Sequence, residues 1–288
     1  MAALTHPAPA APAGTAPARN RRRGALPVWR WVILVITAVY FLLPLWGALR
    51  FSGISAFSGV ISEAGFGSSL WLSVRLAIVT TAITLALMVP TAVYVHLRLP
   101  KLRRVLDSIT ILPVVIPPVV LIIGVLQITK VAPSLQESPY LLALEYVILA
   151  MPFAYRSIDA GLRALDLKTV TEAASSLGAG WTTTLWRVIL PNLTTALLSA
   201  TVLTVALVLG EYTMATLDLF QTFPVWIVVN DQVSAQVSVA ASLLALFVTW
   251  LVLMLITLIG TRRSRRRGGG EVTLFTGSAL RPPQTIGN

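Results

Sequence analysis

Six long apolar runs constrain the fold of this chain more than any other feature of its sequence. A helix needs about 20 consecutive apolar residues to cross the hydrocarbon core of a bilayer. Within that core, only helices and closed barrels satisfy their own backbone hydrogen bonds. The sequence therefore predicts an all-α membrane protein with six transmembrane helices. The predicted spans cover residues 29–49, 70–97, 105–129, 140–158, 193–216 and 240–260.

The composition agrees with a membrane protein and excludes an ordinary soluble domain. Hydrophobic residues make up 56% of the chain and charged residues 11%, whereas soluble domains contain about 25% charged residues. The net charge of +11 would suit a nucleic-acid-binding protein, but the Lys and Arg residues flank the apolar runs in short clusters. That distribution is typical of membrane proteins, so we expect a lipid bilayer as partner and no nucleic acid. The absence of Cys excludes disulfides and thiolate metal sites.

The positive charges also predict the topology. Of the 22 Lys and Arg residues, only Arg50 and Lys130 lie in the loops of one side and Arg75 lies within a span, which leaves 19 on the other side. Because basic residues are retained on the cytoplasmic side, both termini and the loops after the second and fourth spans are predicted to be cytoplasmic.

Two disordered cytoplasmic tails, at residues 1–28 and 262–288, are predicted to flank a transmembrane domain at residues 29–261. The first tail is rich in Ala and Pro and buries too little apolar surface to fold. The apolar run that follows it exceeds the ~7 to 15 residues of a signal-peptide core, so we interpret it as a retained span. Residues 217–239 mix polar and apolar side chains and predict a short re-entrant or interfacial helix.

The third predicted span contains Pro113, Pro117 and Pro118. Proline lacks a backbone donor and clashes with the preceding turn of a helix. This span is therefore expected to be kinked or unwound, which a membrane tolerates only against protein or water.

A polar and amphipathic loop, placed at residues 160–192, separates the fourth and fifth spans. Thr169 and Glu172 have the spacing of a capping box, which predicts that a short helix begins near Thr169. Gly178 is predicted to end this helix in the left-handed conformation. Ala173 and the residue after it would give the helix a shallow face that another protein can approach closely.

A second amphipathic helix is predicted to follow in the same loop. Trp181, Leu185 and Trp186 fall on one side at helical spacing. Such a helix can lie in the membrane interface, and Pro191 is predicted to mark its end.

The loop resembles the cytoplasmic EAA loop of the permeases of type I ATP-binding-cassette (ABC) importers. In that family Glu-Ala-Ala, a Gly, an Ile and Leu-Pro recur at fixed offsets, and here the Ile position holds Val188. The resemblance is closest to permeases of the spermidine/putrescine type and their ferric iron, thiamine and sulfate relatives. The residues that carry it are Glu172, Ala173, Ala174, Gly178, Leu190 and Pro191, together with Tyr155-Arg156 and Gly210-Glu211-Tyr212 outside the loop.

The resemblance implies a MetI-like fold and a role as one permease subunit of an importer in the bacterial inner (plasma) membrane. It also implies a second permease subunit in a heterodimer, a cytoplasmic ABC ATPase dimer that docks at the loop, and an external substrate-binding protein. The chain contains no Walker A sequence, so ATP and Mg²⁺ are expected to be used by the partner ATPase. We expect no cofactor, metal site or catalytic residue on this chain, since His6 and His96 form no metal-binding motif.

Three charged residues lie within the predicted spans, where burying each costs roughly 2.5 to 3.5 kcal/mol. Arg75, Glu145 and Glu211 all fall toward the outer ends of their helices, and we interpret them as a candidate substrate pathway. Two interpretations remain open: a polar vestibule that receives substrate, or an Arg75 that merely neutralises one carboxylate. An unpaired carboxylate would favour a cation, so a polyamine or other cationic solute is the predicted cargo.

Other charged residues and other classes of protein receive less weight. Asp107 and Asp159 are interpreted as surface ion pairs, because each has Arg residues three or four positions away on the same predicted helix. The same architecture could import ferric iron, thiamine, sulfate or another small solute. A secondary transporter would need coupling carboxylates near the bilayer midplane and usually an internal repeat, and a membrane-embedded enzyme would need a catalytic cluster.

Overall fold

The computed structural model describes residues 28–129 and 138–268, and the regular elements in those ranges are all helical. The predicted all-α fold class is confirmed. The chain divides into two compact units, Met1–Trp46 and Gly47–Asn288. Helix α1 (Val28–Ser62) contributes to both and is kinked at Gly53, where φ is 68°. Most of the two predicted tails, and Lys130, lie outside the described residues.

The helices after α1 follow one another along the chain with short connections, within the described ranges. They are α2 (Phe66–Arg98), α3 (Arg103–Ile109), α4 (Leu112–Val115), α5 (Pro118–Thr129), α6 (Pro139–Arg163), α7 (Leu167–Ser176), α8 (Trp181–Thr184), a π-helical turn (Leu185–Ile189), α9 (Leu190–Asn192), α10 (Thr194–Gly210), α11 (Thr213–Leu217), α12 (Phe223–Asp231) and α13 (Ala235–Gly268).

Four of the described helices, α1, α2, α6 and α13, are long and apolar enough to cross a membrane by themselves. Two bent pairs also qualify when each is counted as one span, which gives up to six. The first pair joins α3–α4 to α5 at 95°, and the second joins the segment at 181–192 to α10 at 77°. The described residues therefore contain four to six candidate spans, against the six predicted, and the second bent pair includes residues 181–192 of the predicted loop.

Proline explains the first broken span, which was predicted as one helix at residues 105–129. Ile116 has an extended backbone with ψ of 124°, because a residue before proline is sterically excluded from the helical region. Pro118 then starts α5. The expectation of a kink is confirmed, but the chain forms three separate helices rather than one bent helix.

Three other predicted helix boundaries differ from those in the structure. Helix α1 continues to Ser62 rather than residue 49, and α13 continues to Gly268 rather than residue 260. Polar and basic residues limit the part of a helix that can lie in the membrane. They do not end the helix itself, because their backbone groups form helical hydrogen bonds as those of other residues do. In contrast, the predicted fifth span ends early at Gly210, because Glu211 is extended with ψ of 127°. Helix α12 confirms the short helix predicted within residues 217–239.

The core of the second unit is built around α2, α6 and α10, which pack against one another. One cluster of buried side chains joins these three helices to Leu167 of α7 and Ile189 of the π turn. A second cluster joins α2 and α6 to α11 through Met214 and Ala215. A third packs Trp226 of α12 against Ala240 and Ala241 of α13. The first cluster places the loop helix directly on the helices that it connects.

Candidate functional site

The loop helix α7 begins differently from the prediction. Its N-cap is Asp166, whose Oδ1 accepts a hydrogen bond from the Thr169 backbone N–H at 3.3 Å and whose Oδ2 accepts one from the Thr169 hydroxyl at 2.7 Å. The capping box at Thr169 and Glu172 was therefore wrong, because Asp166 takes the capping position one turn earlier. The hydrogen bonds from the Thr169 side chain and backbone lower the pKa of the Asp166 carboxyl.

The end of α7 confirms the prediction at Gly178, which has a φ of +81°. The Gly178 N–H donates to the Ser175 carbonyl at 2.9 Å, and the Ala179 N–H donates to the Ala174 carbonyl at 3.0 Å. These two bonds close the last turn of the helix. The chain then leaves in a direction that only a left-handed residue at position 178 allows.

Helix α7 has one buried side and one exposed side. Leu167 and Ala174 are buried against the core of the second unit, whereas Glu172 and Ala173 are exposed. Leu177 is 89% exposed at the end of the helix. The two alanines therefore do not share one exposed face: Ala174 anchors the helix, and Ala173 lies on the free side with Glu172.

The second half of the loop contains the π-helical turn, which sequence periodicity did not reveal. Leu185 and Ile189 point inward to the core, while Trp181 and Trp186 are exposed by 44% and 70%. The prediction that Leu185 shares a side with both tryptophans was wrong, since Leu185 and Ile189, four residues apart, form the inward stripe. Pro191 lies in the first turn of α9, and the segment ends at Asn192 rather than at Pro191.

A cluster of ionic side chains lies beside the loop, and sequence reasoning misjudged it. Asp159 is only 4% exposed, although it was interpreted as a surface residue. Its Oδ1 lies 3.0 Å from Arg103 Nη2 and 3.2 Å from His96 Nε2, and its Oδ2 lies 2.6 Å from Arg163 Nη2. Arg163 also lies 3.8 Å from Asp107 Oδ2. The spacing of Asp159 and Arg163 indicated their pairing, but nothing local in the sequence indicated the partners on α2 and α3.

The three candidate pathway residues do not come together as predicted. The Arg75 guanidinium lies over the Tyr140 ring, 4.6 Å from its centroid, and donates a hydrogen bond to the Tyr140 hydroxyl. Arg75 does not pair with Glu145 or Glu211 in the described part of the chain. The interpretation of Arg75 as the neutralising partner of a carboxylate was therefore wrong. Arg75 as a residue is half-buried.

Glu211 is 9% exposed and acts as a cap. Its Oε1 and Oε2 accept hydrogen bonds from the Met214 backbone N–H at 3.0 and 3.2 Å, and Oε2 also accepts one from Ala215 at 3.4 Å. These N–H groups belong to the first turn of α11, where an acidic side chain satisfies donors that the helix leaves free. Glu211 thus explains the break between α10 and α11.

Glu145 is 1% exposed and faces Asp218, which is 8% exposed and which sequence analysis did not select. The Tyr146 hydroxyl and Glu211 border the same cluster. Because these carboxyl groups are buried between α6 and the α10–α12 segment, they do not line an open vestibule. The open vestibule on which the predicted preference for cations was based is therefore not formed by Glu145 and Glu211.

A cavity of about 550 Å³ lies between α2, α10, α12 and α13. Its lining is mostly aliphatic and includes Leu70, Val205, Leu209, Phe223 and Ile256. None of the three candidate pathway residues borders it. An apolar chamber of this kind does not suit a charged solute, so this cavity is not a candidate substrate site.

Known proteins resemble this chain in sequence and in structure. Residues 82–268 match the family described as binding-protein-dependent transport system inner membrane component. The chain is 29% identical over 251 residues to the molybdenum transport system permease protein ModB of Mycobacterium tuberculosis, covering 80% of this chain and 93% of ModB. It is 31% identical over 132 residues to the sulfate transport system permease protein CysW of Synechococcus elongatus, covering 43% of this chain and 46% of CysW.

A solved structure matches over a similar length. It is a bacterial alginate ABC transporter in complex with an alginate pentasaccharide-bound periplasmic protein, with a TM-score of 0.62 at 15% identity. The match covers 83% of this chain and 95% of that chain. At this identity the match establishes the fold, which is the MetI-like fold expected from the loop.

Proposed function

This chain belongs to the family of binding-protein-dependent transport system inner membrane components, and from that premise we propose that it forms half of the pathway of an ABC importer for a tetrahedral oxyanion. Its role as a multi-pass permease subunit of an ABC importer follows from the family. The cargo, the partner subunits and the role of the loop are the proposed parts.

The observation that carries the cargo is the resemblance to permeases of oxyanion systems. The match to the molybdenum permease extends over 80% of this chain, and the sulfate permease matches a shorter part. Molybdate and sulfate are both tetrahedral dianions. We therefore replace the polyamine expectation with molybdate as the first candidate and sulfate as the second.

The distribution of charge supports an anion over a cation. Glu145 and Glu211 are buried, and Glu211 is bonded to the backbone of α11. Of the three candidate pathway residues, Arg75 alone is not buried. A guanidinium presents a planar set of N–H donors that suits the oxygens of an oxyanion. This electrostatic environment offers an anion more favourable contacts than it offers a polyamine.

We assign ATPase docking to the exposed side of α7 and the residues that follow it. Glu172, Ala173 and Leu177 are exposed there, next to the left-handed turn at Gly178. Leu190 packs against the core, and Leu190 and Pro191 belong to the short helix between the π turn and α10. The opposite side of α7 is packed on the core, so force on the docking face reaches the transmembrane helices.

The proposed assembly contains this chain, a second permease subunit, an ABC ATPase dimer that uses ATP and Mg²⁺, and an external substrate-binding protein. In it, both termini and the loop lie in the cytoplasm. The apolar cavity within this subunit does not suit an anion, so the second permease is expected to complete the pathway.

Uptake in cells tests the cargo. Cells with and without this chain are compared for accumulation of molybdate, sulfate, ferric iron, thiamine and spermidine at limiting concentrations, with the deletion complemented by the wild-type gene. We expect deletion to abolish high-affinity uptake of molybdate or sulfate and to leave the other three unchanged. Loss of spermidine uptake alone would contradict the oxyanion proposal.

A further inference from the structure

We propose that Asp159 is a positioning residue that transmits movement of the loop helix to α2 and α3. The proposal rests on the docking role proposed above for α7. Asp159 itself contacts neither the cargo nor ATP. It acts through the arginine and histidine side chains that it binds, which come from α2, α3 and α6.

The geometry places one carboxylate at the meeting point of α2, α3 and α6. Arg103 of α3 binds Asp159 Oδ1 through Nε at 3.1 Å and Nη2 at 3.0 Å. His96, in the last turn of α2, places Nε2 at 3.2 Å from the same oxygen. Arg163 of α6 donates from Nε to Oδ2 at 2.7 Å. Both oxygens of Asp159 are therefore occupied by cationic or imidazole partners.

The carboxylate and its partners on α2 and α3 are largely shielded from solvent. Side-chain exposure is 6% for Asp159, 8% for His96 and 26% for Arg103, whereas Arg163 is 53% exposed. A buried carboxylate that loses one of its partners is left without compensation for its lost hydration. The helices that carry the partners are therefore constrained to move together with Asp159, and a displacement of α6 carries α2 and α3 with it.

The cluster stands next to the start of the loop helix. Arg163 is the last residue of α6, and Asp166 already caps α7. Leu167 of α7 packs into the same apolar core as Leu162 of α6, with Leu106 of α3 against it. A push on α7 is thus delivered to the residues on either side of the ionic cluster, by packing at Leu167 and by the chain at Arg163.

Movement transmitted through Asp159 would also affect the broken third span. Helix α3 is the first piece of the pair that bends by 95° before α5. Rigid attachment of α3 to α6 at Asp159 would let the loop reposition this bent segment. A cluster that only stabilised the fold would not affect how much transport each hydrolysed ATP supports.

The first experiment compares transport per ATP hydrolysed in reconstituted complexes that contain the full chain. The variants are Asp159→Asn, Asp159→Glu and Arg103→Gln, and the matched control is Arg104→Gln. Arg104 is the exposed neighbour of Arg103 and has no ion pair among the described residues. We expect Asp159→Asn and Arg103→Gln to lower transport per ATP by about fivefold or more, while Asp159→Glu recovers most of it and Arg104→Gln equals wild type.

The second experiment measures the movement directly. The chain contains no Cys, so pairs of spin labels can be placed at Cys introduced for Ser108 of α3 and Ser175 of α7, both exposed. A third Cys at Gln236 of α13, which is exposed and lies outside the cluster, serves as a reference position. In wild type, addition of ATP should change the label distances from α3 to the reference and from α7 to the reference together. In Asp159→Asn, only the distance from α7 should change.

Each outcome decides the proposal. Wild-type transport per ATP in both Asp159→Asn and Arg103→Gln would overturn it, as would an unaltered α3 movement in Asp159→Asn. If Asp159→Asn does not assemble, Arg103→Gln decides alone, and failure of both to assemble would mark the cluster as structural and also overturn the proposal. Absence of ATP-dependent transport in the wild-type complex would instead contradict the proposed function, whatever the Asp159 variants do.

Discussion

Gly178 is the residue at which the loop changes direction between α7 and α8. Its φ of +81° lies in the left-handed region, and a Cβ added there would meet no atom within 4 Å. The requirement for glycine is therefore conformational rather than steric. Gly180, two residues later, has a φ of −71° and equally open surroundings, so the two glycines can be compared directly.

Replacing Gly178 by Thr should weaken coupling, because a β-branched residue in the left-handed conformation costs about 1–2 kcal/mol. The same change at Gly180 is expected to be nearly neutral, since Thr suits a helix N-cap about as well as Gly does. Stimulation of ATPase activity by the loaded binding protein in a reconstituted complex is the measurement. Equal stimulation in both variants would show that the left-handed turn is not needed for coupling.

For single residues, the sequence predicted backbone conformations better than it predicted side-chain contacts. The left-handed Gly178 follows from a local rule, and the structure confirms it. The partners of Arg75 and Asp159 depend on which helices become neighbours, and spacing along the chain does not contain that information. Arg75 therefore contacts Tyr140 instead of a carboxylate. Asp159 binds side chains of α2 and α3 as well as one of α6.

Helices α6 and α10 lie close together at Gly161, near the end of α6. A Cβ at Gly161 would lie 2.4 Å from Ala196 Cβ and 3.1 Å from Leu193 Cδ2. The small residues on both helices permit this approach, which fixes how the two ends of the loop are held. Gly124 in α5 also lies within a helix, but an added Cβ would meet no atom within 4 Å.

Gly161→Val should destabilise the protein by about 1–3 kcal/mol, the usual cost of inserting atoms into a packed contact. Gly124→Val should not destabilise it, because Val has a higher helix propensity than Gly. Thermal unfolding of the detergent-solubilised protein measures both. A melting temperature for Gly161→Val that matches the Gly124→Val control would contradict the close packing of α6 and α10.

Hydropathy predicted the long apolar helices, whereas only some of the breaks between helices could be predicted from the sequence. Apolar length predicted the spans, and the prolines predicted the interruption between α4 and α5. The break at Glu211 was not predicted because Glu is not among the usual capping residues, although its carboxylate accepts from N–H groups only three and four residues ahead. The π turn at Leu185–Ile189 had no sequence signature either.

For the whole molecule, the distribution of basic residues predicts which side of the membrane each loop occupies. Cys introduced at Lys101 or Ser175 should react with a membrane-impermeant thiol reagent only in inside-out vesicles. Cys introduced at Glu63 should react only in intact cells. All three positions are exposed, and the wild-type chain provides a blank because it lacks Cys. Labelling of Glu63→Cys and Lys101→Cys from the same side would contradict the six-span topology.

The function proposed for the whole molecule depends most on ATP-driven import of an oxyanion through this subunit. The direct measurement is accumulation of radiolabelled molybdate, sulfate and spermidine in proteoliposomes that contain the complete importer, its binding protein and internal ATP. We predict ATP-dependent accumulation of molybdate or sulfate, no accumulation of spermidine, and the same selectivity in Glu145→Gln, because Glu145 is buried. Accumulation of spermidine without either oxyanion, or a change of selectivity in Glu145→Gln, would contradict it.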